Sequence, residues 1–253
     1  MKGTAEGIKF EHFEKPPIIL SILQFRYKTI EDFSSEKFKT KGVLIKSDYP
    51  EIRERYIQQI HFTGNKPDGS THISLDDKKI DGIQFISKDK KKILVIGEDR
   101  FSYEMHGNYP GWETFSDEAG KHWEQFRNEL GDIQLTGLSL RYINRINLPG
   151  DFNDISEYFT TFIQSSSGKH MINNFQLKYT SNEPENHLTI HVGHVLEPPI
   201  EGNFPYLFDI DVIYSSDIQN ELKFIWETFN ILRLKKNYIF NDGLTEKSKL
   251  IIR

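Results

Sequence analysis

The chain has 253 residues, 37% hydrophobic and 27% charged, with a formal net charge of −5 at pH 7. That composition supplies a sizeable core and excludes wholesale disorder, and the net acidity excludes a uniformly basic nucleic-acid coat. Cysteine is absent, which removes disulfides, thiolate catalysis, zinc ribbons and iron–sulfur clusters.

In chain order, residues 1–14 are charged and lack the apolar stretch of a secretory leader, and no later apolar run approaches the length of a membrane span. A cytoplasmic protein is expected. Pro16-Pro17 disfavours helix and opens an extended stretch, so 18–27 reads as a strand. Scattered apolar positions (Phe33, Phe38, Val43, Leu44) predict a helix over 30–46. Residues 55–62 read as a strand, and 71–87 as a polar hairpin zone. Lys88-Asp89-Lys90-Lys91-Lys92 reads as a solvated turn between the apolar runs 83–86 and 93–96. Phe101, Tyr103 and Met105 alternate with polar residues, the pattern of a half-buried strand.

The first clear helix spans 112–130. Trp112, Phe115, Ala119, Trp123, Phe126 and Leu130 form one stripe of a 3.6-residue period, and Gly131 stops it. Residues 134–148 then read as a long strand. Leu138, Leu140 and Tyr142 face one way; Ser139, Arg141, Ile143 and Arg145 face the other. Pro149-Gly150 is the expected boundary between an N-terminal half (1–149) and a C-terminal half (150–253). Asp154 to Glu157 resembles a capping box and predicts a short helix with Ile155, Tyr158, Phe159 and Phe162 inward. Strands are expected over 171–179, 187–195 and 204–214. A second helix is expected over 217–234, with Ile218, Leu222, Ile225, Phe229 and Leu232 as its stripe, and Thr245 as the cap of a short final helix. Trp123-Glu-Gln-Phe126 and Trp226-Glu-Thr-Phe229 echo one another, which suggests two related halves.

Three sets of side chains carry candidate chemistry. His187, His191 and His194 suggest a metal cluster, but on a strand the first two lie ~13 Å apart and the third points to the opposite face. Asp209 and Asp211 share a strand face ~7 Å apart, a spacing suited to a divalent ion or an acid–base pair. Arg141 and Arg145 share a strand face, with Tyr142 and Asn144 on the other. Such arginines grip phosphates or carboxylates, or pair with acidic residues on neighbouring strands. Arg141, Asn144 and Arg145 are therefore the candidate ligand-binding residues, and Asp209 and Asp211 the candidate metal ligands of an alternative reading. No nucleophile motif, dinucleotide fingerprint or P-loop occurs, and Ser165-Ser166-Ser167-Gly168 reads as a loop. No cofactor is expected.

The Pro16-Pro17 start, the Trp123 helix, the Leu140-Arg-Tyr-Ile-Asn-Arg-Ile146 segment, Asp209-Ile-Asp211 and the Trp226 helix together resemble a sporadically distributed, functionally uncharacterised bacterial family of about this chain's length. Ser21 stands near a position where the resemblance implies an acidic residue, and Glu246 follows Leu244-Thr245 where another is implied. Patchy distribution implies an accessory role, such as toxin neutralisation or phage defence.

The expected fold is α+β, with antiparallel sheets packed by long amphipathic helices in two related halves. The expected function is a non-enzymatic binding or regulatory protein with a protein partner. The alternative is a metal-assisted enzyme or binding protein for phosphorylated or nucleotide ligands. Nucleic acid is disfavoured as a partner by the net acidity.

Overall fold

The computed structural model describes residues 13, 16–31, 33, 34, 36, 47–57, 60–63, 72–75, 78–131, 133–164, 172–216, 218 and 221–253 (backbone alone at 60–63, 72–75 and 130). The strands are β1 (Ile18–Tyr27), β2 (Glu51–Ile57), β3 (Ile60–Thr63), β4 (His72–Leu75), β5 (Lys79–Ile86), β6 (Lys92–Ile96), β7 (Arg100–His106), β8 (Leu135–Leu148), β9 (Phe175–Glu183), β10 (Leu188–Leu196) and β11 (Phe204–Ser215). Among the described residues the α-helices are α1 (Trp112–Leu130), α2 (Leu222–Gly243) and α3 (Glu246–Ile252).

Nine strands join one sheet in the order β2-β5-β6-β7-β1-β8-β11-β10-β9, and β3 and β4 form a separate two-stranded ladder. This corrects the expected architecture of several antiparallel sheets packed by long amphipathic helices. It is mostly one large antiparallel sheet, with three α-helices among the described residues. The reason lies in β8. Its fourteen residues alternate in burial for most of their length, and it pairs along both edges, with β1 from Ile18↔Asn144 and with β11 from Phe204↔Leu148 to Ser215↔Gly137. Pro149-Gly150 ends β8, but the chain returns as β11 on the same ladder, so the strands on either side of that break share a sheet. Trp123 and Trp226 of the two echoing motifs meet on one residue, Phe25 of β1, stacked at 4.1 Å and edge-on at 6.4 Å.

The chain divides into two compact units that do not follow the Pro149-Gly150 break: residues 1–28 with 102–253, and residues 29–101. In the smaller unit, Ile83, Phe85, Leu94 and Val95 are buried. The charged turn between β5 and β6 is built by Asp89, which accepts from Ser87 Oγ at 2.6 Å and from the Lys91 amide at 3.0 Å. Asp81 pairs with Arg55 and Arg100. The strand expected over 55–62 is two strands, β2 and β3, and most of the helix expected over 30–46 lies outside the described residues.

In the larger unit, Phe115, Ala119, Trp123 and Phe126 of α1 and Ile225, Phe229 and Leu232 of α2 are buried together with Leu23, Phe25 and Tyr27 of β1. α1 and α2 approach closely at Gly120, where a Cβ would meet the Trp226 ring at 2.8 Å. α2 starts later and runs further than the expected 217–234, so Leu222 is an exposed first-turn residue rather than part of the stripe. The helix expected after Asp154 is one 3-10 turn, Ile155–Glu157. Beyond it Phe159 bridges to Leu244 and the Thr160 amide donates to the Gly243 carbonyl, which ends the turn and leaves Phe162 exposed. Thr245 caps α3 by accepting from the Ser248 amide. No helix among the described residues is long and apolar enough to cross a membrane.

Candidate functional site

Strand alternation along β8 separates two sets of polar side chains. Arg141 and Arg145 lie on the less buried face, whereas Tyr142 and Asn144 are buried on the other. The candidate ligand set Arg141, Asn144, Arg145 is therefore divided between the two faces.

On the face of Arg141, the side chains are committed to one another. Arg141 donates from Nε to Asp209 Oδ1 at 2.8 Å and from Nη2 to Oδ2 at 2.6 Å, a two-point grip that raises its pKa further. Asp211 accepts from Ser139 Oγ at 2.6 Å. Arg145 reaches Glu197 at 3.4 Å. A shallow depression of about 410 Å³ brings Arg141, Asp209 and Asp211 near Lys178 and His191. His191 Nδ1 is bonded to Thr180 Oγ1 at 2.8 Å. His187 stands in left-handed conformation at φ 56° after the 3-10 turn Pro184–Asn186. His194 is buried on the opposite face, with Nδ1 2.9 Å from Tyr206 Oη and its ring stacked on Phe208 at 4.7 Å. Burial lowers its pKa to about 4. The three histidines are thus not brought together, and among the described residues no group of three or more His, Asp or Glu is placed to hold a metal ion.

The other face of β8 forms the wall of a cavity of about 340 Å³. Its remaining walls come from the Pro16-Pro17 entry to β1, the Tyr109-Pro110-Gly111 loop, the first turn of α1, and the Arg233–Asn241 stretch of α2. Pro17 is fixed there by its carbonyl, which accepts from the Arg145 amide at 2.7 Å. Gly111, at φ 99°, turns the chain into α1, and no side chain caps that helix start. The positive end of the helix dipole therefore borders the cavity.

Four side chains give the cavity its chemistry. Tyr142 and Tyr109 share a hydrogen bond between their hydroxyls at 2.9 Å, and their rings pack edge-on at 5.3 Å. Burial raises the pKa of Tyr109 to about 12 and that of Tyr142 well above its ordinary value, so both hydroxyls keep their protons at neutral pH. Lys236 projects its Nζ over the Tyr142 ring, 4.0 Å from the centroid. It is only 9% exposed, and among the described residues no carboxylate or carbonyl accepts from its amine. Loss of hydration, helped by the charge of Arg233, lowers its pKa to about 7. Arg233, one turn earlier on α2, lies over Trp112 at 5.4 Å, and among the described residues its ion partner is Glu113, which is 82% exposed, at 3.8 Å.

Asn144 belongs to this cavity but directs its Nδ2 to the Phe208 carbonyl at 3.0 Å. Ser21, directly across the ladder from Tyr142, has a buried hydroxyl without a hydrogen-bond partner among the described residues. Tyr109, Arg233 and Lys236 were not among the residues singled out from the sequence. Lys236 carried a usable signal: it lies four residues after Leu232 and four before Phe240, on the buried stripe of a helix continued past 234.

No protein-family model matches this chain, and a search of curated proteins finds no match to it. The site is therefore read from its own chemistry.

Proposed function

We propose that this is a binding protein whose ligand is a small acidic molecule, held by its carboxylate or phosphate in the cavity beside Tyr142. The observation that carries this reading is Lys236, a buried amine that lines a cavity without a described acceptor. A buried amine without a counter-charge is costly, and an incoming anion relieves that cost by restoring the proton and the pairing. Arg233 adds a second cation to the same walls, its pair with the exposed Glu113 being loose. The volume suits a metabolite-sized molecule. Arg141 and Arg145 serve this reading as structural ion pairs, through their bonds to Asp209 and Glu197.

The test is a thermal-shift and calorimetric series with inorganic phosphate and with small carboxylic acids such as glycolate. At least one class should stabilise the wild-type chain at pH 6–7 and lose most of that effect in Lys236→Met. If neither phosphate nor any carboxylate shifts the wild-type melting temperature, the reading is wrong.

A further inference from the structure

We propose, building on that reading, that the cavity captures an α-oxo or aldehydic acid covalently and reversibly, with Lys236 forming an imine to the carbonyl and Arg233 holding the carboxylate. Reversible imine formation needs an unprotonated amine and a proton donor that stays protonated. The cavity holds both. The amine is nine-tenths buried and free of described acceptors, so its lone pair is not tied to a neighbour. The hydroxyls of Tyr109 and Tyr142 form a bonded pair in the same walls. Arg233, spaced three residues from Lys236 on α2, projects from the same side of the helix, and its ion partner Glu113 is solvated and displaceable.

The step balances without a redox partner. The Nζ lone pair adds to the carbonyl carbon while the C=O π pair moves to oxygen, which takes a proton from the tyrosine pair. The nitrogen returns a proton to the tyrosinate, and its lone pair then expels the hydroxyl, which leaves as water with the remaining N–H proton and gives C=N. The reverse sequence releases the acid unchanged. The titratable and charged groups around Lys236 among the described residues are Arg233, Glu113, Tyr109 and Tyr142. With pKa values near 7 for the amine and well above neutrality for the phenols, both protonation states that the step needs coexist at neutral pH.

The experiment uses the full chain at pH 7 with glyoxylate, an aldehyde bearing a carboxylate, trapped by cyanoborohydride and located by peptide mass spectrometry. Lys236 should be labelled at least about tenfold faster than solvent-exposed Lys223, and Arg233→Gln, folded by its melting curve, should slow that labelling about tenfold. Glycolate, which lacks the carbonyl, should compete with the labelling and form no adduct. Labelling of Lys236 no faster than Lys223, while glycolate still stabilises the protein, would overturn the imine and leave the binding reading standing. If neither acid binds, both fail together.

Discussion

The two faces of β8 treat charge in opposite ways. On one, Arg141 lies half in solvent and is met at two points by Asp209. On the other, Lys236 is buried over the Tyr142 ring with no described counter-charge. The arginine shows what a satisfied charge does: it ties neighbouring strands together and has little left for a ligand. The lysine carries a standing desolvation cost, which the fold keeps. A search for cations alone selects the first; only accounting for partners selects the second.

The comparison is broken most severely by removing the core that holds the buried face in place. Trp123→Ala, which deletes a ring stacked on Phe25, should destabilise the protein by ~3–5 kcal/mol in chemical denaturation. Next comes Lys236→Met, which should stabilise the unliganded protein by about 1–3 kcal/mol, because it removes a buried amine while keeping the packing. Its pH dependence sharpens the point. The folded chain holds this amine near 7 and the unfolded chain near 10.5, so between those values the unfolded state binds the extra proton. Wild-type stability should rise across that window, and the advantage of Lys236→Met should be greatest below pH 7 and fade towards pH 10.5. Equal stability of the two proteins at every pH would contradict the burial.

His194 provides a second titration on the buried face. Its folded pKa of about 4 lies below the ordinary 6.5, so the unfolded state takes up a proton that the folded state refuses as pH falls between them. Stability should therefore drop over that range, and His194→Gln should flatten the drop in a pH-resolved melting series. On the opposite face, Arg141→Ala should cost about 1 kcal/mol, since its pair with Asp209 is partly solvated. Arg145→Ala should cost less than ~0.5 kcal/mol, in keeping with its looser contact to Glu197. A loss several times larger at Arg145 would show that its ion pair is not the minor contact its geometry implies.

Local periodicity made the alternation of β8, the stripe of α1 and the capped turn at Thr245 legible, because each depends on neighbours a few residues away. The sheet was not legible. Whether Arg141 meets an acid depends on the register of β11, set by residues some seventy positions on, and nothing local specifies it. The matching Trp-Glu motifs gave no hint that both tryptophans meet on Phe25 of a strand far from each in sequence. Two local features hide the cavity in the sequence. Lys235-Lys236-Asn237 looks like the polar end of a helix, and the apolar stripe read over 217–234 ends before Lys236. Tyr109 sits in a Gly-Asn-Tyr-Pro-Gly loop, which has no period to read.

The central place of β1 also sets a timetable for biosynthesis. Leu23 of this strand pairs with Leu140, well over a hundred residues later. At the usual ~5–20 residues per second, a ribosome takes about 10 s to deliver the partner. Through that interval Leu23, Phe25 and Tyr27, all buried in the finished protein, have neither β8 nor the two tryptophan helices to cover them. An apolar strand left waiting in this way is a docking point for chaperones and a seed for aggregation. Slowed translation between residues 27 and 135, or depletion of nascent-chain chaperones, should therefore lower the soluble yield of this protein more than that of one whose first strand pairs with its nearest neighbour.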